Sequence, residues 1–183
     1  MEMILIFTPK ISSRNKFTFK LILSDILGLN FQMTSDPEEF SNYNGPKFSY
    51  CRQAISDELF FQSTGLLFET GIVVQELQTL DWKGIKVFYP THKKSILPFD
   101  PFACSFLLVS RYEEYLPHIK DKHGRFAAYQ SLAFQHGFLD EPVVNIWAEE
   151  ILSILEQKFG KLDRKPLQYQ FIPTVDIDNA WAY

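Results

Sequence analysis

Cysteine is nearly absent: Cys51 and Cys104 are the two in 183 residues. They stand far apart, with no C-x-x-C pair and no Cys/His cluster, which speaks against a structural zinc site. Both read as free, buried thiols of a reducing compartment. Clustered positive charge is also scarce. The net charge is -4, and the small basic groups are Lys93-Lys94 and then Lys120, Lys122 and Arg125. Nucleic acid binding needs many clustered Lys and Arg to displace counterions, so that class is excluded. No apolar run approaches the ~20 residues that span a bilayer. Met3 to Phe7 is apolar but is closed at once by Thr8-Pro9, too short for the apolar region of a signal peptide. These absences predict a cytoplasmic protein with no membrane partner. Gly-rich phosphate loops, G-x-S-x-G and H-E-x-x-H are missing too, which removes the common nucleotide, serine hydrolase and zinc protease readings.

Aromatic residues, in contrast, are abundant. Eighteen Phe supply enough apolar volume for a sizeable core, so the chain reads as one packed globule and not a disordered regulator. Met3-Ile4-Leu5-Ile6-Phe7 predicts a buried strand. Ser12-Ser13 caps a predicted helix over 14–27, whose broad apolar face ends at Gly28. Phe31 to Thr34 alternates as a second strand, and strand-helix-strand at this spacing predicts a parallel pair. Asp36-Pro37 opens a short helical turn. The segments 47–51 and 58–62 predict two strands joined as an antiparallel hairpin, and 82–89 a further strand. The second half reads as three helices, over 100–115, 126–134 and 140–159, of which the last carries Val143, Val144, Trp147, Ile151, Ile154 and Leu155 at helical spacing. Residues 160–166 look like a linker, and 169–175 like a last buried strand. The fold class is therefore α/β or α+β: a mixed β-sheet flanked by helices, with a helix-rich second half.

Three groups of residues invite chemistry. Asp176 and Asp178 follow the last predicted strand and share one face of it. Two such carboxylates suit a cation or a general base, or else an Asx-type turn with Asn179; both readings stay open. Ser110-Arg111-Tyr112-Glu113-Glu114-Tyr115 joins aromatic and charged side chains; it reads either as a sugar- or partner-facing patch, or as a core edge with Arg111 paired to a Glu. Glu114 and His118 have metal-ligand spacing, but Pro117 breaks the helix between them. His118 and His123 then read as solvated loop residues. Asp57, Glu58 and Glu69 lack the strand-borne acid and Lys of a nuclease site.

The segments Leu97-Pro98-Phe99-Asp100-Pro101-Phe102-Ala103, Ser110 to Tyr115 and Val175-Asp176-Ile177-Asp178-Asn179-Ala180 together resemble a group of bacterial polysaccharide deacetylase-like proteins. In those, an N-terminal domain of uncharacterised role precedes a catalytic domain of the NodB-homology type. The resemblance implies an accessory domain over 1–166, and the opening strand of the catalytic domain over 167–183. It implies Asp176 as the base and Asp178 as a ligand of a divalent metal, usually zinc, with Ile177 separating two Asp that the family most often holds adjacent. The metal's two His and a later acid would come from further along the family's catalytic domain, so this stretch is expected to be inactive and to hold no cofactor itself. The expected partners are the catalytic domain and a polysaccharide. A carbohydrate- or protein-binding module is the alternative, with Tyr112, Tyr115 and Trp82 as its contact residues. A stand-alone metal hydrolase using Asp176, Asp178 and a loop His is a third reading.

Overall fold

The computed structural model describes residues 3–166 and 168–175. Its centre is a four-stranded sheet: β1 (Met3–Phe7), β2 (Asn30–Thr34), β3 (Lys47–Cys51) and β4 (Leu59–Gln62), in the order β2-β1-β3-β4. All three pairings are parallel. A separate antiparallel ribbon joins β5 (Thr79–Trp82) to β6 (Ile85–Phe88). The architecture is α/β, one of the two classes that the order of elements left open. Two details differ. The segments 47–51 and 59–62 are parallel neighbours, not a hairpin. The single strand expected over 82–89 is instead a hairpin, turned at Lys83-Gly84, where both residues hold the positive φ of a two-residue loop.

Alternation decides what each face of the sheet meets. Ile4, Ile6, Phe48, Tyr50 and Phe61 point to the front, into the main core. Leu5, Phe7, Cys51 and Phe60 point to the back, where α2 (Pro37–Asn42) covers them with Phe40. Helix α1 (Ser13–Phe19) lies on the front; Phe19 meets Phe48 and Tyr50 edge-on. Ser12 caps it. It continues as a π-helical segment, Lys20–Ile26, which winds the chain differently and lets Ile22, Leu23 and Leu27 all reach the core. Gly28 ends it at φ +70°, as the sequence implied, and for a second reason too. A Cβ there would stand 2.6 Å from the carbonyl oxygen of Lys165. The Lys165 N–H donates to the Gly28 carbonyl at 2.8 Å, and Leu162 is buried. The stretch after the last helix is thus pinned to the domain, not a free linker.

The second half supplies α3 (Pro101–Val109), α4 (Leu132–Gln135) and α5 (Val143–Phe159), with short 3-10 turns at Tyr112–Tyr115 and Ala128–Gln130. The helix expected over 100–115 stops at Val109 because Arg111 turns into the left-handed region, φ +52°. The middle helix shrinks to a 3-10 turn and one turn of α-helix. Helix α5 forms as expected: Trp147, Ile151 and Leu155 are buried, and the Trp147 ring packs on Phe88 and Phe99. Residues 169–175, expected as a buried strand, carry no regular structure. Tyr169, Phe171, Ile172 and Val175 are 91, 77, 73 and 82% exposed.

Candidate functional site

Two of the three segments behind the expected resemblance, 97–103 and 110–115, are placed by the core. Asp100 caps α3: its Oδ1 accepts the N–H groups of Phe102 and Ala103 at 3.2 and 3.0 Å. Its Oδ2 accepts the Tyr50 hydroxyl (2.9 Å), the Thr64 N–H (2.9 Å) and the Thr64 hydroxyl (3.0 Å). One buried carboxylate therefore ties the helix to β3 and to the loop after β4. The Ser110 to Tyr115 segment is a chain reversal. The Tyr112 hydroxyl accepts the Val73 N–H at 2.8 Å and donates to the Val73 carbonyl at 3.1 Å. Arg111 pairs with Glu114. A Glu113 carboxylate oxygen accepts the Leu132 N–H at 2.8 Å and starts α4. Burial pushes the Glu113 carboxyl up, against the opposing pull of that bond.

These contacts locate the aromatic candidates. Tyr112 is 3% exposed, and its hydroxyl is engaged by Val73. Trp82 is half-buried at the end of β5, with its ring against Phe99 and the Lys83 ammonium 4.9 Å over its face. Tyr115 is 67% exposed. Asp176 and Asp178 lie outside the described residues. The His118 ring nitrogen Nδ1 is bonded to the Leu116 carbonyl at 2.8 Å, and the ring rests edge-on against Phe126. Among the described residues, no three His, Cys, Asp or Glu side chains gather as metal ligands. The thiols are free and buried: Cys51 donates to the Gln53 carbonyl and Cys104 to that of Phe88, each at 2.9 Å. Burial raises both above the ordinary thiol value, so neither is a ready thiolate nucleophile at neutral pH.

Two clefts stand out. One, about 420 Å³, runs beside the chain reversal between Val109, Arg111, Phe126, Phe138 and Val143. The other, about 750 Å³, opens at the carboxyl ends of β1, β3 and β4. Its position follows from the strand order. After β1 the chain leaves over the front of the sheet, through α1, towards β2. After β3 it leaves over the back, through 52–58, towards β4. Chains departing in opposite directions from neighbouring parallel strands leave a crevice between them, the usual ligand position in doubly wound sheets. Phe7, Pro9, Ile55 and Phe68 give it apolar walls, and Lys10 and Arg52 stand on it. Sequence reasoning missed these residues. Only the end of β1 at Thr8-Pro9 was readable, and the neighbour that completes the crevice is set by strand order.

The back crossover is organised by Glu58. Its carboxylate accepts the Ser49 hydroxyl (2.5 Å), the Ile55 and Ser56 N–H groups (2.9 and 2.7 Å) and the Ser56 hydroxyl (2.9 Å). Burial alone would raise its pKa, but these bonds outweigh burial and hold it below the ordinary carboxylate value. A group of this kind stabilises the fold above its unfolded pKa and loses that contribution as pH falls through the folded one. Glu58→Gln is therefore expected to cost about 1 kcal/mol at neutral pH, a low value because the site is partly open to water. The gap to wild type should close on acidification. Urea unfolding across the acid range measures it, and a pH-independent gap would reject this role.

The fold and its crevice define a doubly wound α/β domain with a 2-1-3-4 parallel sheet. Residues 4–160 match the model of a family of unknown function, DUF7033, and the chain belongs to that family. No curated protein and no solved structure matches it.

Proposed function

We propose that this domain is the non-catalytic N-terminal partner of a metal-dependent carbohydrate deacetylase domain acting on N-acetylated glycans. The observation that carries this reading is the apolar run at 169–175. The domain before it is closed, with Leu162 buried and Lys165 bonded to Gly28. Tyr169, Phe171, Ile172 and Val175 nevertheless face water, beyond the family-matched residues and directly before Asp176-Ile177-Asp178. Apolar surface of this kind is unfavourable unless something covers it. In this reading the cover is the catalytic domain, and the run is its opening strand. The accessory domain packs against it and shapes the glycan groove.

Catalytic zinc takes three protein ligands and keeps one position for water. Asp176 and Asp178 alone do not make that set, so these two carboxylates do not by themselves fit the ion. In this reading the remaining ligands belong to the catalytic domain.

The test is made on the native gene product. Its mass is expected to exceed that of residues 1–183 by roughly one domain of 100–200 residues. It is expected to release acetate from an N-acetylated chitooligosaccharide in the presence of zinc, and Asp176→Asn should lower kcat by about 100-fold or more. A native product ending at Tyr183, or a longer one that releases no acetate, overturns the reading.

A further inference from the structure

We propose that the crevice at the carboxyl ends of β1, β3 and β4 binds a small organic anion with a flat apolar body. This goes beyond the accessory-domain reading and does not depend on it. Four observations support it. The first is place: the crevice lies where the chain leaves β1 and β3 over opposite faces of the sheet, through α1 on the front and 52–58 on the back. The second is size: about 750 Å³ falls in the range of small-molecule sites, roughly 300–1,000 Å³.

The third observation is the chemistry of the walls. Phe7, Pro9, Ile55 and Phe68 offer apolar and aromatic surface to a ring. Phe68 is fixed by stacking on Tyr50, with ring centroids 5.8 Å apart. The fourth is charge. Lys10 and Arg52 both line the crevice and are exposed, and neither has an ion-pair partner among the described residues. The acidic side chain on the wall is Glu69, and its carboxylate is already engaged. It accepts from Gln75 Nε2 at 3.1 Å and lies 4.0 Å from the Arg14 guanidinium. The crevice thus presents two uncommitted cations over an apolar floor. A phosphate or carboxylate on a flat ring satisfies both features: the anion takes charge-assisted hydrogen bonds from Lys10 and Arg52, and the ring covers Phe7 and Phe68.

Fluorescence titration with 1-anilinonaphthalene-8-sulfonate tests this, with the uncharged N-phenyl-1-naphthylamine as its isostere. One saturable site for the sulfonate is expected, bound more tightly than the isostere. The double variant Lys10→Ala/Arg52→Ala should weaken the sulfonate by about tenfold or more, the scale of hydrogen bonds to a charged group, and leave the isostere unchanged. Both side chains are exposed, and an unaltered urea midpoint confirms that the variant is folded. Competition by adenosine monophosphate and by benzoate then tells a phosphate ligand from a carboxylate one. If the variant binds the sulfonate as wild type does, or the isostere binds equally well, the proposal is overturned. Sulfonate seated instead in the cleft beside Arg111 would also be indifferent to Lys10 and Arg52, and so counts against it.

Discussion

Phe102→Ala is expected to lower the unfolding free energy by about 3–5 kcal/mol. The ring is fully buried at the start of α3, facing the sheet and α1. It meets Phe19 edge-on at 4.8 Å, Tyr50 at 5.2 Å and Phe61 at 5.5 Å, and lies parallel to Phe48 at 5.9 Å. Those four come from α1, β3 and β4, so one truncation removes the piece that joins the helix layer to two strands. Four aromatic neighbours cannot collapse into the gap without leaving their own packed positions, which puts the cost at the upper part of the range for large-to-small changes. With a typical total stability of about 5–15 kcal/mol, this is about a fifth of it or more. Val109 ends the same helix and is exposed. Val109→Ala should therefore change stability by no more than about 0.5 kcal/mol. Urea unfolding of both variants provides the check. Equal midpoints for the two would mean that the ring cluster does not hold the layers together.

What the sequence made legible were features set by near neighbours. The buried strand Met3–Phe7, the cap at Ser12, the stop at Gly28 and the buried stripe of α5 all depend on residues within a turn or two. Long-range partners were hidden. Parallel strands usually need a dozen or more residues between them, so the short 52–58 loop argued for a hairpin. The chain meets the same need with Glu58, which reaches back to Ser49 and gathers the Ile55 and Ser56 N–H groups, so seven residues suffice. The helix over 100–115 is continuous in its pattern; what ends it is the left-handed turn at Arg111, held by Tyr112 reaching Val73, thirty-nine positions away. The crevice was invisible for the same reason. Phe7, Cys51 and Thr64 come together only once β3 lies beside β1.

Asp100→Ala is the second large effect, expected at about 3 kcal/mol. Truncation leaves five donors without their acceptor: the N–H groups of Phe102, Ala103 and Thr64 and the hydroxyls of Tyr50 and Thr64. Loss of a helix cap alone costs about 1 kcal/mol, and each stranded buried donor adds to that. Removing a charge from a fully buried position gives part of the sum back. Asp100→Asn should be milder, about 1–2 kcal/mol. Its remaining oxygen still serves the cap, while the Tyr50 and Thr64 hydroxyls can turn to accept from the new amide; only the Thr64 N–H is left facing a donor. The two variants also separate by pH. Burial raises the Asp100 pKa above its ordinary value, against the opposing hydrogen bonds from Ala103, Thr64 and Tyr50. An acid raised in this way binds a proton more readily folded than unfolded. Its contribution is therefore full below the unfolded pKa and declines as pH rises through the folded one. Asparagine does not titrate, so the stability gap between wild type and Asp100→Asn should be widest in acid and narrow as pH climbs out of the ordinary carboxylate range. A gap that instead widens with pH would mean that the five hydrogen bonds outweigh burial, and that Asp100 sits in the core as a stabilised anion.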